Sequence, residues 1–177
     1  MNGPSTVDDS DLLEVSRHHL QTINQPGEDM AQTKPKRSLR ILCIDDDPQV
    51  GELLNDCLTH LGHRVMIASG GKEGIEMFRT AALKNLPYDV VITDMGMPDI
   101  DGRIVARTIK TESPGTPIII LTGWGAAVRG DATIASTVDA VVSKPPHLQE
   151  LNDLLLQVAT QAYSGQSPKP GRVKFEN

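Results

Sequence analysis

Between residues 39 and 162 the hydrophobic period of the chain alternates from one segment to the next. Leu39–Ile44, Arg64–Ala68, Tyr88–Thr93, Pro117–Thr122 and Ala140–Ser143 are short apolar runs. After the first run, Val50, Leu53, Leu54, Cys57, Leu58 and Leu61 recur at helical spacing, and Gly74, Ile75, Phe78 and Ala82 do so after the second. Further helical stretches are expected at 104–110 and, more weakly, at 126–136. A closing helix carries Leu148, Leu151, Leu155, Val158 and Ala162. Runs so short and so continuously apolar suit strands buried on both faces, with the intervening helices supplying the cover. Pro48 suits the first turn of its helix, with Asp47 as its cap, and Gly62 suits its end. Ile104, Val141, Cys43 and Cys57 read as core, the two cysteines as reduced thiols.

The right-handed crossover rule leaves few ways to wind such a chain. The expected fold is α/β: a flavodoxin-like doubly wound (βα)5 with a five-stranded parallel sheet in the order 2-1-3-4-5. Residues 1–38 read as a flexible tail or linker, 39–162 as the folded domain, and 163–177 as a disordered C-terminal tail. A short helix over Asp9–Ile23 is conceivable within the first stretch. His18-His19 there reads as exposed helix surface rather than a phosphotransfer histidine, and Lys34-Pro35-Lys36-Arg37 as solvated linker.

Composition removes several function classes. A net charge of −6 opposes general binding to nucleic-acid phosphates, and 3% aromatic residues leave little to stack bases. The apolar run Ile118–Leu121 is far short of the roughly 20 residues a membrane helix needs, and Met1-Asn2-Gly3-Pro4 does not open a secretory signal. Two cysteines make neither a disulfide framework nor a zinc site. A cytoplasmic protein that binds neither nucleic acid nor membrane is expected. Gly70-Gly71-Lys72-Glu73 lacks the first glycine and the hydroxyl residue of a phosphate-binding P-loop.

The polar residues fall at the strand ends. Asp45, Asp46 and Asp47 follow the first strand, Asp94 the third, and Lys144 the fifth, while Thr122 ends the fourth. Ligands of open parallel sheets bind at these carboxyl ends, where the strand order reverses. Clustered carboxylates raise one another's proton affinity, which a divalent cation relieves. The available ligands are hard oxygens, so magnesium suits the site better than zinc. A carboxylate can attack phosphorus, and an ammonium and a hydroxyl can meet the developing charge. These residue types suggest phosphoryl transfer onto a carboxylate.

Ile41-Leu-Cys-Ile-Asp-Asp-Asp-Pro48, Tyr88-Asp-Val-Val-Ile-Thr-Asp-Met-Gly-Met-Pro-Asp-Ile-Asp-Gly102, Ile118-Ile-Ile-Leu-Thr-Gly123 and Val142-Ser-Lys-Pro145 together resemble the receiver domain of two-component response regulators. Residues 121–125 are similar to receivers attached to hybrid histidine kinases. The resemblance implies that Asp94 is the phosphoacceptor. It implies magnesium bound by Asp46 directly, by Asp45 largely through water, by Asp94 and by the Gly96 carbonyl. Thr122 and Lys144 then contact the phosphoryl oxygens, and Lys144-Pro145 is a cis peptide. The implied partners are a histidine kinase or histidine phosphotransfer protein and a downstream protein target. A homodimer would use the face made by the fourth helix, the fifth strand and the closing helix. Output would pass through protein contacts, without a DNA-binding domain, and the chain would catalyse only its own phosphorylation and dephosphorylation.

Departures from the family pattern bear on mechanism. Val141 stands where receivers carry a switch aromatic, and Gly96 and Trp124 occupy the positions flanking the phosphoryl group. Lys144 is followed by Pro145-Pro146-His147, where Pro-Phe is more usual. One alternative is a receiver fold used for docking without phosphorylation, which loss of the aromatic favours. A magnesium-dependent phosphatase similar to the haloacid dehalogenase superfamily is another. Against the phosphatase, Gln49 stands two residues after Asp47, and no acidic pair follows Lys144 at a further strand tip.

Overall fold

The structure, a computed structural model, describes residues 37–123, 132–165 and 172–173. Its elements are β1 (Arg40–Ile44), α1 (Pro48–His60), β2 (Arg64–Ala68), α2 (Gly71–Leu83), β3 (Val90–Asp94), α3 (Gly102–Glu112), β4 (Ile118–Thr122), α4 (Ala132–Thr137), β5 (Ala140–Ser143), α5 (Leu148–Tyr163) and β6 (Arg172–Val173). The sheet order is β2-β1-β3-β4-β5-β6, with every pair parallel. The first five strands follow the expected 2-1-3-4-5 winding. β1 and β3 lie side by side, and the chain winds away from them in opposite directions.

Alternation along the strands splits the core in two. Leu42, Ile44, Val91, Ile118 and Ile120 pack with Phe78 of α2 and with Val105 and Ile109 of α3. Ile41, Cys43, Ile92, Ile119 and Leu121 point the other way, onto Leu54 and Leu58 of α1 and Leu151, Leu155 and Val158 of α5. Each fully buried aliphatic side chain of this size contributes roughly 1.5–3 kcal/mol. Two buried faces on every central strand explain why those strands read as unbroken apolar runs.

The helix starts are written locally. The Asp47 carboxylate accepts from the Gln49 N–H at 2.9 Å, and Pro48 follows it in the first turn. Gly62, at φ 93°, turns the chain into β2, a conformation that costs glycine little. Across the bottom of the domain, His63 Nδ1 accepts from the Leu39 N–H at 3.2 Å. The proton must therefore sit on Nε2, which donates to Asn152 Oδ1 at 2.8 Å. This buried bridge ties the start of β1 to α5.

Several expectations are corrected. Ile104 is 53% exposed, because the inward stripe of α3 runs through Val105, Ala106 and Ile109 instead. Leu53 is likewise 52% exposed beside the buried Leu54 and Leu58, and Cys57 is only partly buried. Arg172–Val173, inside the stretch read as a C-terminal tail, pairs with Ala140 and Val141 as a sixth strand. Two residues are too few for any period to register. Val141 and Cys43 are buried as expected. The conceivable helix at 9–23, His18, His19, Lys34, Trp124 and the start of the 126–136 helix lie outside the described residues. No helix among the described residues is long and apolar enough to cross a membrane.

Candidate functional site

Parallel pairing brings the carboxyl ends of β1, β3, β4 and β5 to one edge of the sheet. Ile44 is level with Thr93, Asp94 with Leu121, and Thr122 with Ser143. Asp45 and Lys144 each follow their strand by one residue. The Asp45 N–H is held by the Ala68 carbonyl at 3.1 Å and the Lys144 N–H by the Thr122 carbonyl at 2.9 Å. The side chains are thus aimed by sheet hydrogen bonds extended one residue past the strands.

Lys144 joins the two sides. Its Nζ lies 2.7 Å from Asp45 Oδ2 and 2.6 Å from Asp94 Oδ1. The remaining oxygen of each carboxylate is also engaged. Asp45 Oδ1 accepts from the Asp47 N–H at 3.0 Å, and Asp94 Oδ2 accepts from the Gly96 N–H at 2.8 Å. Asp45, Asp94 and Thr122 are buried, whereas Lys144 keeps 23% of its side chain in solvent. Lys144-Pro145 is a cis peptide, in agreement with the resemblance.

Burial sets the electrostatics. Loss of solvent pushes the Asp45 carboxyl above the usual carboxylate range, aided by the negative Asp94 and opposed by Lys144 and the Asp47 N–H. Burial pulls the Lys144 ammonium down, but the hydrogen bonds it donates to both carboxylates outweigh that and raise it above its ordinary value. Beneath the site, burial and then Asp45 push the Cys43 thiol up to about 12, which leaves it un-ionised and unreactive.

Asp45, Asp94, Lys144 and the Gly96 N–H are drawn together. Asp46 is exposed beside them, and Thr122 is buried at the tip of β4. Among the described residues no three acidic, histidine or cysteine side chains stand close enough to hold a metal ion by themselves. The donor chemistry still fits a hard cation. Among the described residues, Asp45, Asp46 and Asp94 against the one ammonium of Lys144 leave two negative charges unmatched, and every candidate ligand is oxygen. Gly96 is exposed, so its carbonyl is accessible as well.

The chain matches the family model described as "Response regulator receiver domain" over residues 41–156. It is 33% identical over 113 residues to the transcriptional regulatory protein TcrA of Mycobacterium tuberculosis, covering 64% of this chain and 43% of that one. It is 32% identical over 145 residues to the virulence sensor protein BvgS of Bordetella pertussis, covering 78% of this chain and 11% of BvgS. The chain therefore spans less than half the length of either relative. Among solved structures, the response regulator TrrA of Thermotoga maritima, in complex with Mg2+-BeF, superposes with a TM-score of 0.61 at 32% identity, covering 68% of this chain and 98% of TrrA. With the 2-1-3-4-5 winding and a lysine bridging the tips of β1 and β3 already in view, these matches settle the family: the chain belongs to the response regulator receiver domains.

Proposed function

We propose that this receiver is a phosphoacceptor in a two-component phosphorelay and that Asp94 is the residue modified. The observation that carries the reading is the Lys144 ammonium, 2.6 Å from Asp94 and anchored on the other side by buried Asp45. An Asp94 oxygen attacks the phosphorus of a partner's phosphohistidine. As the O–P bond forms, the P–N bond breaks, and its electron pair and a proton go to the departing imidazole. The product is an aspartyl phosphate. Lys144 shifts from the carboxylate to the phosphoryl oxygens, and the Thr122 hydroxyl donates to them. Asp46, Asp94 and the Gly96 carbonyl, with Asp45 largely through water, would hold magnesium, which would supply positive charge at the phosphoryl oxygens. Exposed Gly96 leaves one flank of the product open to water.

The donor in this reading is a histidine kinase or histidine phosphotransfer protein, and the setting is the cytoplasm. Output goes to a protein target or to a second copy through the α4-β5-α5 face, with no nucleic acid or membrane involved. Buried Val141, in place of an aromatic side chain, supports a second reading in which the fold docks partners without being phosphorylated.

Incubation with magnesium and acetyl phosphate, followed by intact mass measurement, separates the two. Gain of one phosphoryl group, absent in Asp94→Asn, is the expected result. No gain, or a gain that persists in Asp94→Asn, overturns the assignment. Partner capture unaffected by phosphodonor would favour the docking reading.

A further inference from the structure

Gly70-Gly71-Lys72 opens α2 and takes no part in the site described above. A helix start leaves backbone N–H groups unsatisfied, and Gly70, the residue before the helix, has no side chain to offer them. They are met instead from the loop between β3 and α3. Asp99 Oδ1 lies 3.4 Å from the Gly71 nitrogen, and Oδ2 lies 3.4 Å from the Lys72 nitrogen. The carboxylate is also fixed on its own loop, where Oδ1 accepts from the Ile100 N–H at 2.7 Å. A negative charge facing a helix N-terminus is favourable, and the carboxyl is held below the usual carboxylate range, first by the Ile100 N–H.

The contact needs glycine on the helix side. A Cβ on Gly71 would stand 2.6 Å from the Ile100 carbonyl oxygen and 2.8 Å from Ile100 Cβ. On Gly70 it would stand 3.2 Å from Asp99 Oδ2. The glycine pair, which made no sense as a phosphate loop, is the space into which the β3–α3 loop packs.

That loop begins at the candidate site. Gly96 donates its N–H to Asp94 Oδ2 at 2.8 Å, and Gly102 donates to the Met95 carbonyl at 3.0 Å. The backbone is therefore pinned at Asp94–Met95 and again at Asp99–Ile100, with exposed Gly96 between the pins. We propose that Asp99 is a positioning residue: docked on the glycine-opened start of α2, its carboxylate holds the 95–100 loop so that the Gly96 peptide keeps its orientation beside Asp94. The consequence for magnesium rests on the proposed function, whereas the consequence for loop order does not.

Amide hydrogen exchange at Gly96 in metal-free protein reads the loop directly. Asp99→Ala and Gly71→Ala are expected to speed it about tenfold by promoting local opening. Asp99→Asn, which keeps one acceptor oxygen but loses the charge and sets an amide NH2 toward the other helix N–H, is expected to fall between wild type and Asp99→Ala. Calorimetric titration with magnesium chloride should show the affinity of Asp99→Ala about tenfold weaker, the lower end for loss of an outer-shell partner, again with partial rescue by Asp99→Asn. Thermal melts confirm that each variant is folded. Because Asp99 is exposed, Asp99→Ala stays folded even should Gly71→Ala not. Wild-type exchange at Gly96 in Asp99→Ala overturns the proposal, and so does an Asn variant as impaired as the Ala variant. A wild-type protein that takes no magnesium removes the proposed function, and the exchange comparison still decides the clasp.

Discussion

Replacing Lys144 with Met removes one charge and keeps the aliphatic stem. In the wild-type protein that charge sits 2.7 Å from Asp45 and 2.6 Å from Asp94. Both carboxylates are buried, at 3% and 8% exposure, so their repulsion is poorly screened once the ammonium is gone. Removing one partner of a fully buried pair costs about 3–5 kcal/mol. Lys144 keeps 23% of its side chain in water, so part of that loss is recovered by solvent. The expected destabilisation is about 2–3 kcal/mol, or a fall in melting temperature of roughly 10 °C. Urea unfolding at neutral pH with and without magnesium chloride is the assay. Among the described residues the three carboxylates then lose their one counter-charge, so magnesium should stabilise the variant more than the wild type. A loss within about 0.5 kcal/mol, the range of ordinary surface changes, refutes the reasoning, and so does an equal magnesium effect on the two proteins.

Gly102→Ala places a Cβ 2.1 Å from the Asp94 carbonyl oxygen, with backbone on both sides, so neither partner yields cheaply. It should lose about 3 kcal/mol, the upper end for overpacking, and weaken phosphodonor reactivity; an unchanged urea midpoint contradicts the geometry. His63→Phe strips the Leu39 N–H of its acceptor and leaves Asn152 without its ring partner. With about 1–3 kcal/mol for each of the two orphaned buried groups, a loss of roughly 2–6 kcal/mol is expected, and near-neutral unfolding data would show the bridge to be idle. Asp101, the cap of α3, is held below the usual carboxylate range, first by its bond to the Arg103 side chain, despite some burial. Its folded value lies below its unfolded one, so its contribution is complete above the ordinary carboxylate range and is lost as pH falls through the folded value. Melting curves on acidification should therefore fall less steeply for Asp101→Asn than for the wild type, and parallel curves would refute the linkage.

The primary sequence determined the layers. Strands buried on both faces must be apolar at every position, so Ile41–Ile44 and Ile118–Leu121 announced themselves, and the helices between them left only a parallel sheet. It also placed Asp45, Asp94, Thr122 and Lys144 at strand tips, because where an apolar run stops is a local property. Which of those tips touch was decided by tertiary structure. Asp45 and Lys144 are 99 positions apart, and only the sheet register makes one ammonium serve two carboxylates while neighbouring Asp46 stays exposed. Local period also failed at Ile104 and Leu53, since apolar spacing fixes a helix face only to within about one residue position. The Asp99 contact with Gly71, the His63–Asn152 bridge and the two-residue β6 left no periodic trace at all. They join residues far apart along the chain, and such pairings are chosen by the shapes of packed elements, which exist only once the chain has folded.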